Sequence, residues 1–426
     1  MAEQMDFRLR KGLPTAIILS CCPAALSAAP PEISLSYDAL YSDNIENVAV
    51  EEASDLENRF SLGINYQTDP GKCVASVDGG ISHSIYSENT FDPETQVNGG
   101  LTGNCELARG LSWEVDNQIR EVTRTSREAD TPENRTRKNI FQTGPSYRWR
   151  LNPRDSVLFS ARYENTELSD PEDVDSNTVN GSVFWNHLFA PDFSAGLSAS
   201  VRDSELDTTE ERRTRTLNIR FNKRWATTTV SGSVGVSEVE TELGSTRREF
   251  DGFDGELNLT RDLDSSATVF LRASRELTDQ TSDFDIRFDE FTFELTDIST
   301  QEVTTIETGL NKSFSNGDRL TLTAFANRSD FLESVEREDQ SGLRAGYNRQ
   351  ISPLLSATGN ARYEYLTFES DQSDDQILGL DLGLNYRASR TIDLAAGIGR
   401  TERTSDIRSQ EYEENWVFLS IDYRFR

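Results

Sequence analysis

The chain has 426 residues, 35% of them hydrophobic, with a mean hydropathy of -0.59 and a formal charge of -30. After the first thirty residues no run approaches the ~20 apolar residues that a spanning helix needs, which excludes a helical membrane protein. The acidic balance excludes a nucleic-acid partner, which requires a basic footprint.

The first segment reads as a secretory signal peptide over 1–29. Arg8, Arg10 and Lys11 form a basic start, Leu13 to Leu26 an apolar stretch, and Ala24, Ala25, Ser27, Ala28 and Ala29 offer cleavage sites. Pro30 and Pro31 follow directly and leave the cut position open. The residues before Cys21 also loosely resemble a lipid-attachment site, although the apolar run there is short. Export places the rest of the chain where disulfides persist.

From Ile33 onward one unit repeats: an alternating strand, a short turn, a second strand, a longer polar loop. Leu378, Leu380, Leu382, Leu384 and Tyr386 alternate with Gly379, Asp381, Gly383, Asn385 and Arg387. The last strand carries Val417, Leu419, Ile421, Tyr423 and Phe425 on one face and Phe418, Ser420, Asp422 and Arg424 on the other. A period of two assigns each set to one face of a strand. Turn chemistry marks the short connections at Asp69-Pro70-Gly71-Lys72, Asn152-Pro153-Arg154-Asp155, Ala190-Pro191-Asp192, Asn316-Gly317-Asp318 and Ser352-Pro353. The acidic segments 42–57, 124–135, 166–177, 203–213, 238–249, 278–302, 329–339 and 401–411 read as long loops.

Short turns at one end and long loops at the other are the pattern of a transmembrane antiparallel up-and-down β-barrel in a bacterial outer membrane. Hairpin counting predicts about 20 strands, with 18 as the alternative, over a single domain spanning 30–426. Strands of about ten residues cross a membrane at a tilt. A soluble β-sandwich would alternate too, but the face opposite the aliphatic one carries Arg, Asp and Glu throughout, as a watered interior does. Trp113, Trp149, Trp225, Tyr386, Tyr423 and Phe425 sit near short turns, as an interfacial girdle would. The register predicts Leu380, Leu382 and Leu384 toward lipid and Asp381 and Asn385 toward the lumen.

The lumen face supplies the functional candidates: Arg148, Arg162, Arg220, Arg344, Arg362, Arg387 and Arg424, with Glu364, Asp381 and Asp422. Charged rings select solutes in a pore. Equally, ion pairs brace the wall of any wide barrel. If the arginines from Arg344 to Arg424 cluster, they favour an anionic solute. Strands begin almost at the signal-peptide cut, so a plug-free barrel is expected. Only His83 and His187 are present, on separated strands, which argues against an enzyme. Asp173-Val174-Asp175-Ser176-Asn177 starts like a calcium loop, but Thr178 replaces the needed Gly and Phe184 the bidentate Glu, so neither metal nor cofactor is expected. Cys73 and Cys105 fall at the same end of one hairpin with matching face parity. They are expected to form a disulfide, two free thiols being the alternative.

Tyr41-Ser42-Asp43-Asn44-Ile45 ends the first strand, and Phe60-Ser61-Leu62-Gly63-Ile64-Asn65-Tyr66 follows an acidic stretch. This resembles the outer-membrane β-barrel proteins associated with exosortase/PEP-CTERM systems, within the putative β-barrel porin group. The resemblance implies a pore for exopolysaccharide secretion or related solute passage, working with polysaccharide-export machinery; as a barrel in that membrane the chain is expected to contact outer-membrane lipid and lipopolysaccharide. The alternative is a structural or adhesive barrel without an open pore.

Overall fold

The structure is a computed structural model that describes residues 30–170, 173–208, 210–278, 300–334 and 336–425. The expected signal peptide over 1–29 lies outside the described residues. Among the described residues, twenty antiparallel strands form one sheet. They are β1 (Glu32–Ser42), β2 (Asp55–Gln67), β3 (Cys73–Tyr86), β4 (Glu94–Ala108), β5 (Leu111–Thr123), β6 (Arg135–Arg150), β7 (Asp155–Leu168), β8 (Ser176–Ala190), β9 (Phe193–Leu206) and β10 (Glu210–Arg224). The second half comprises β11 (Thr228–Leu243), β12 (Thr246–Asp264), β13 (Ala267–Thr278), β14 (Gln301–Ser313), β15 (Arg319–Phe331), β16 (Arg337–Ser352), β17 (Leu355–Phe368), β18 (Ser373–Arg387), β19 (Ile392–Ser405) and β20 (Tyr412–Phe425). Each strand pairs with its chain neighbours. β1 also pairs with β20, from Ile33 opposite Phe425 to Ser42 opposite Trp416, and the sheet closes. Closure satisfies the edge groups that lipid could not.

Period-two patterning fixes the two faces. Leu380, Leu382 and Leu384 are exposed on the outer wall, opposite Arg400, Ile398 and Ala396 of β19. Outer aliphatic rows continue through Leu217 and Ile219 of β10 and Val234 and Val236 of β11. Asp381 and Asn385 point inward. Trp113, Trp149, Tyr386, Tyr423 and Phe425 stand exposed on the outer face toward the end with the shortest connections, and Trp225 stands exposed in the connection after β10.

The strands run from 11 to 19 residues, longer than the ten that a bilayer needs. Two expected loops are therefore mostly ladder. The sheet runs to Leu206 and from Glu210 in the first, 203–213, and breaks only at 244–245 in the second, 238–249. The reason lies in cross-strand charge pairs standing where aliphatic residues would stand in lipid. Arg213 bonds Asp203, Arg215 reaches Glu238 at 2.6 Å, and Arg247 reaches Glu240 at 2.8 Å.

The seam is held by the pentapeptide. Ser42 Oγ donates to Glu414 Oε1 at 2.7 Å. Asn415 donates to Asp43 through its backbone N at 2.7 Å and through Nδ2 at 2.9 Å. Asn44 is fully buried; its Nδ2 donates to the carbonyls of Val48 (2.8 Å) and Glu413 (3.0 Å). Ile45 packs in a small core with Tyr86 and Phe91.

Cys73 and Cys105 face each other across β3 and β4 with Cα atoms 4.0 Å apart, and their sulfurs are bonded. Parity puts the bond on the outer wall beside Trp113, the residue opposite Cys105 on β5.

Candidate functional site: the lumen wall and its loop-end strap

All ten charged residues expected on the lumen face lie on the inward parity of their strands. They do not form a free cationic field. Arg162 bonds Glu114, and Arg344 and Arg362 share Glu364 at 3.4 and 3.6 Å. Arg387 reaches Asp393 at 3.6 Å, and Arg424 bonds the same carboxylate. Asn360 Nδ2 donates to Asp381 at 2.7 Å. Arg220 faces the ring of Phe184 at 5.4 Å, while Asp422 lies opposite Ser36 of β1 at the seam. Arg148 is exposed and lies opposite Leu158 of β7. The later arginines are thus interleaved with acids, and the condition for anion preference is not met. The wall is zwitterionic.

Sequence reasoning did not single out the inward aromatics. Phe270, Phe325, Phe418 and Trp416 each stand directly opposite a glycine of the adjacent strand: Gly309, Gly342, Gly397 and Gly399. A Cβ at any of those glycines would collide with the ring, so the rings lie along the wall over the bare backbone. Arg272 and Arg344 stack on Phe270 and Phe325, each at 5.0 Å. An inward aromatic facing an inward glycine is a detectable signal, but only once the register is known.

The two ends of the lumen differ. Toward the short turns the inward side chains are mostly open to solvent. Toward the loops the inward positions are buried, including Val122, Ile140, Leu168, Leu206, Val239, Val303, Leu366 and Phe368. One connection, 124–134, folds over this end as a strap. Asn134 braces it from within: Nδ2 donates to the carbonyls of Thr125 (2.9 Å) and Ala129 (3.1 Å), and Oδ1 accepts from Thr125 N at 3.1 Å. Arg124 ties its base to Asp170 (3.1 Å) and Asp173 (3.2 Å), so the segment that resembled a calcium loop serves here as an anchor.

The strap then reaches the opposite wall. Arg127 Nη1 lies 2.6 Å from Asp371 Oδ2, Nη2 donates to Ser370, and the guanidinium covers the Phe368 ring at 4.3 Å. Arg403, fully buried with Asp375, donates to the Arg127 carbonyl oxygen at 2.7 Å. β5 and β17 stand eight strands apart through the seam. A circular barrel of this strand number would be about 40 Å across, from ~4.8 Å strand spacing and ~40° tilt. Three residues of strap span at most about 11 Å. The walls therefore draw together at this end, and the strap bridges them.

A family model described as "Putative beta-barrel porin 2" matches residues 319–425, which is β15 through β20. No curated protein matches the chain. Among solved structures, a ferric enterobactin receptor (PfeA) of Pseudomonas aeruginosa is similar at 12% identity, covering 93% of this chain and 81% of that one, with a TM-score of 0.50. The copper transporter OprC is similar at 10% identity, covering 93% and 81%, with a TM-score of 0.51. This chain has the fold of the outer-membrane barrels. Identities this low carry over the architecture and no ligand.

Proposed function

We propose that the protein is a bacterial outer-membrane pore, not an enzyme, that passes a hydrated, hydroxyl-rich solute, and that the strap over 124–134 controls its loop end. The observation that carries this reading is the lumen wall. It is polar and open toward the short turns, four of its aromatics lie against glycines, and at the loop end, where apolar side chains join the inward face, it is bridged by a short loop held through a few side-chain contacts. Exopolysaccharide secretion alongside export machinery is the finer reading. It rests on the resemblance of the Tyr41–Ile45 segment and its context, and on the hydroxyl, amide and paired-charge lining that suits a carbohydrate chain. The seam role of that segment gives it a structural function as well.

Single-channel recording in planar bilayers tests the pore. The wild type is expected to show rare or small openings, and a variant with 125–133 replaced by a short Gly/Ser linker a large, stable conductance. Silence of a correctly folded strap-deleted barrel would remove the pore reading. It would leave a structural or adhesive barrel, the reading that the bridged walls themselves favour.

A further inference from the structure

The inner surface of β15–β20 carries a concavity of about 550 Å³. Its polar rim includes Arg344, Arg362, Asn360 and Asp381, and Trp416 lies at one side. Its floor is bare backbone at Gly346 and Gly379. A Cβ at Gly379 would meet nothing nearer than the Arg362 side chain at 3.7 Å, so space stands open above it. Trp416 lies along the wall over Gly399, where no larger residue fits beneath the ring.

The inward charges around this shelf cancel, and Arg400 at its edge shares the outward parity of Leu380 and pairs with Glu402 and Glu413. Arg344 and Arg362 are both within ion-pair distance of Glu364, and Asp381 accepts from Asn360. Such a site offers planar donors and acceptors already fixed by one another, an indole face, and no net charge. A carboxylate or phosphate entering it would face Asp381 and two guanidinium groups already paired with Glu364 behind them. A ring with one apolar face and several hydroxyls meets every feature: stacking for the face, paired polar groups for the hydroxyls.

We infer that this shelf is a binding subsite for an uncharged sugar ring of a polysaccharide in transit. The inference rests on the pore reading and names the class of solute. Arg344 and Arg362 also border a second cavity of about 240 Å³, which Glu364 lines as well and which is closed above by Ser126, Glu128 and Ala129 of the strap. A chain seated on the shelf therefore lies directly beneath the strap, and occupancy is read by the element that closes the loop end.

The test uses the full-length barrel in detergent, with folding verified by heat-modifiable mobility. It is titrated with a neutral hexose hexasaccharide and with a hexauronate of the same length, following tryptophan fluorescence and calorimetry. The neutral chain is expected to bind about tenfold or more tightly than the hexauronate, and Trp416→Ala to weaken it by about tenfold, the stacking face being lost. Gly379→Leu, which fills the floor while leaving Trp416 in place, should do the same and serves if Trp416→Ala does not fold. Equal binding by both folded variants, or preference for the hexauronate, overturns the shelf. Conductance by the strap-deleted barrel without any sugar binding overturns the shelf and leaves the pore standing. Sugar binding by a barrel that never conducts retains the shelf and removes the pore.

Discussion

Arg127→Ala tests the strap most directly. The side chain makes an ion pair to Asp371 at 2.6 Å, a hydrogen bond to Ser370 and a stacking contact on Phe368 at 4.3 Å. The pair is partly exposed, with 27% of Arg127 and 38% of Asp371 accessible, so it contributes only about 0.2–1 kcal/mol. The stacked guanidinium adds about 0.5–1 kcal/mol, and the hydrogen bond to Ser370 adds about 0.5–1 kcal/mol. The sum is about 2 kcal/mol, or about a 30-fold shift between bridged and unbridged states. Barrel stability should hardly change, because no ladder bond is lost. Single-channel recordings in bilayers are therefore expected to show the open fraction rising by about 30-fold at unchanged unit conductance. The Arg403–Asp375 pair remains in the variant and should keep the strap's return fast. An open fraction equal to wild type, in a variant whose heat-modifiable mobility is normal, would refute the claim that this contact holds the loop end closed.

The same contact predicts a pH response. Hydrogen bonds from Ser373 and then Arg127 hold the Asp371 carboxyl at about 2, below its ordinary 3.8. The Ser373 bond lies within the same loop and does not depend on the strap; the Arg127 part stabilises the bridged state while Asp371 is ionised and is lost as pH falls from about 4 toward 2. Openings should increase over that window in wild type but not in Asp371→Asn, and parallel curves would count against the assignment. At the seam, Asn44→Ala removes a fully buried side chain with two donated bonds and should cost about 1–3 kcal/mol, read as a lower temperature for loss of the compact electrophoretic form. On the wall, Leu382→Arg should destabilise by about 2–4 kcal/mol and Asp381→Arg by clearly less; equal effects in urea titrations would contradict the register. Cys73→Ser should lower stability by up to about 3–4 kcal/mol in the chain-entropy account, and two alkylatable thiols on the folded wild type by mass spectrometry would sink the bond.

Sequence alternation reveals faces because a strand's side chains obey a strict period of two, and the inward parity of Arg148, Arg344 and Asp381 follows from that alone. Partners are another matter. Nothing local tells Arg387 and Arg424 that they share Asp393, since two different connections separate the three residues in the chain. The strap was still less visible. Segment 124–135 reads as one more polar loop, and its contact with Asp371 joins residues 244 apart. Segments 203–213 and 238–249 read as loops for a physical reason. Beyond the lipid both faces of a strand are wet, the hydrophobic signal vanishes, and only cross-strand charge pairing keeps the ladder going. Tyr41–Ile45 was legible as a mark of resemblance. Its work at the seam became visible only with β20 laid beside it.

That seam also imposes an order of events. Ser42 and Asp43 bond residues 372 positions away, so the first strand of the barrel is completed by the strand furthest from it in chain order. Contacts of such range carry the largest closure entropy in the fold and form late. Until then the N-terminal hairpin carries an open ladder edge and a buried-type asparagine with half its partners missing. These contacts specify the closing register: a β20 shifted by one residue would bring Glu413, Glu414 and Asn415 to the wrong atoms.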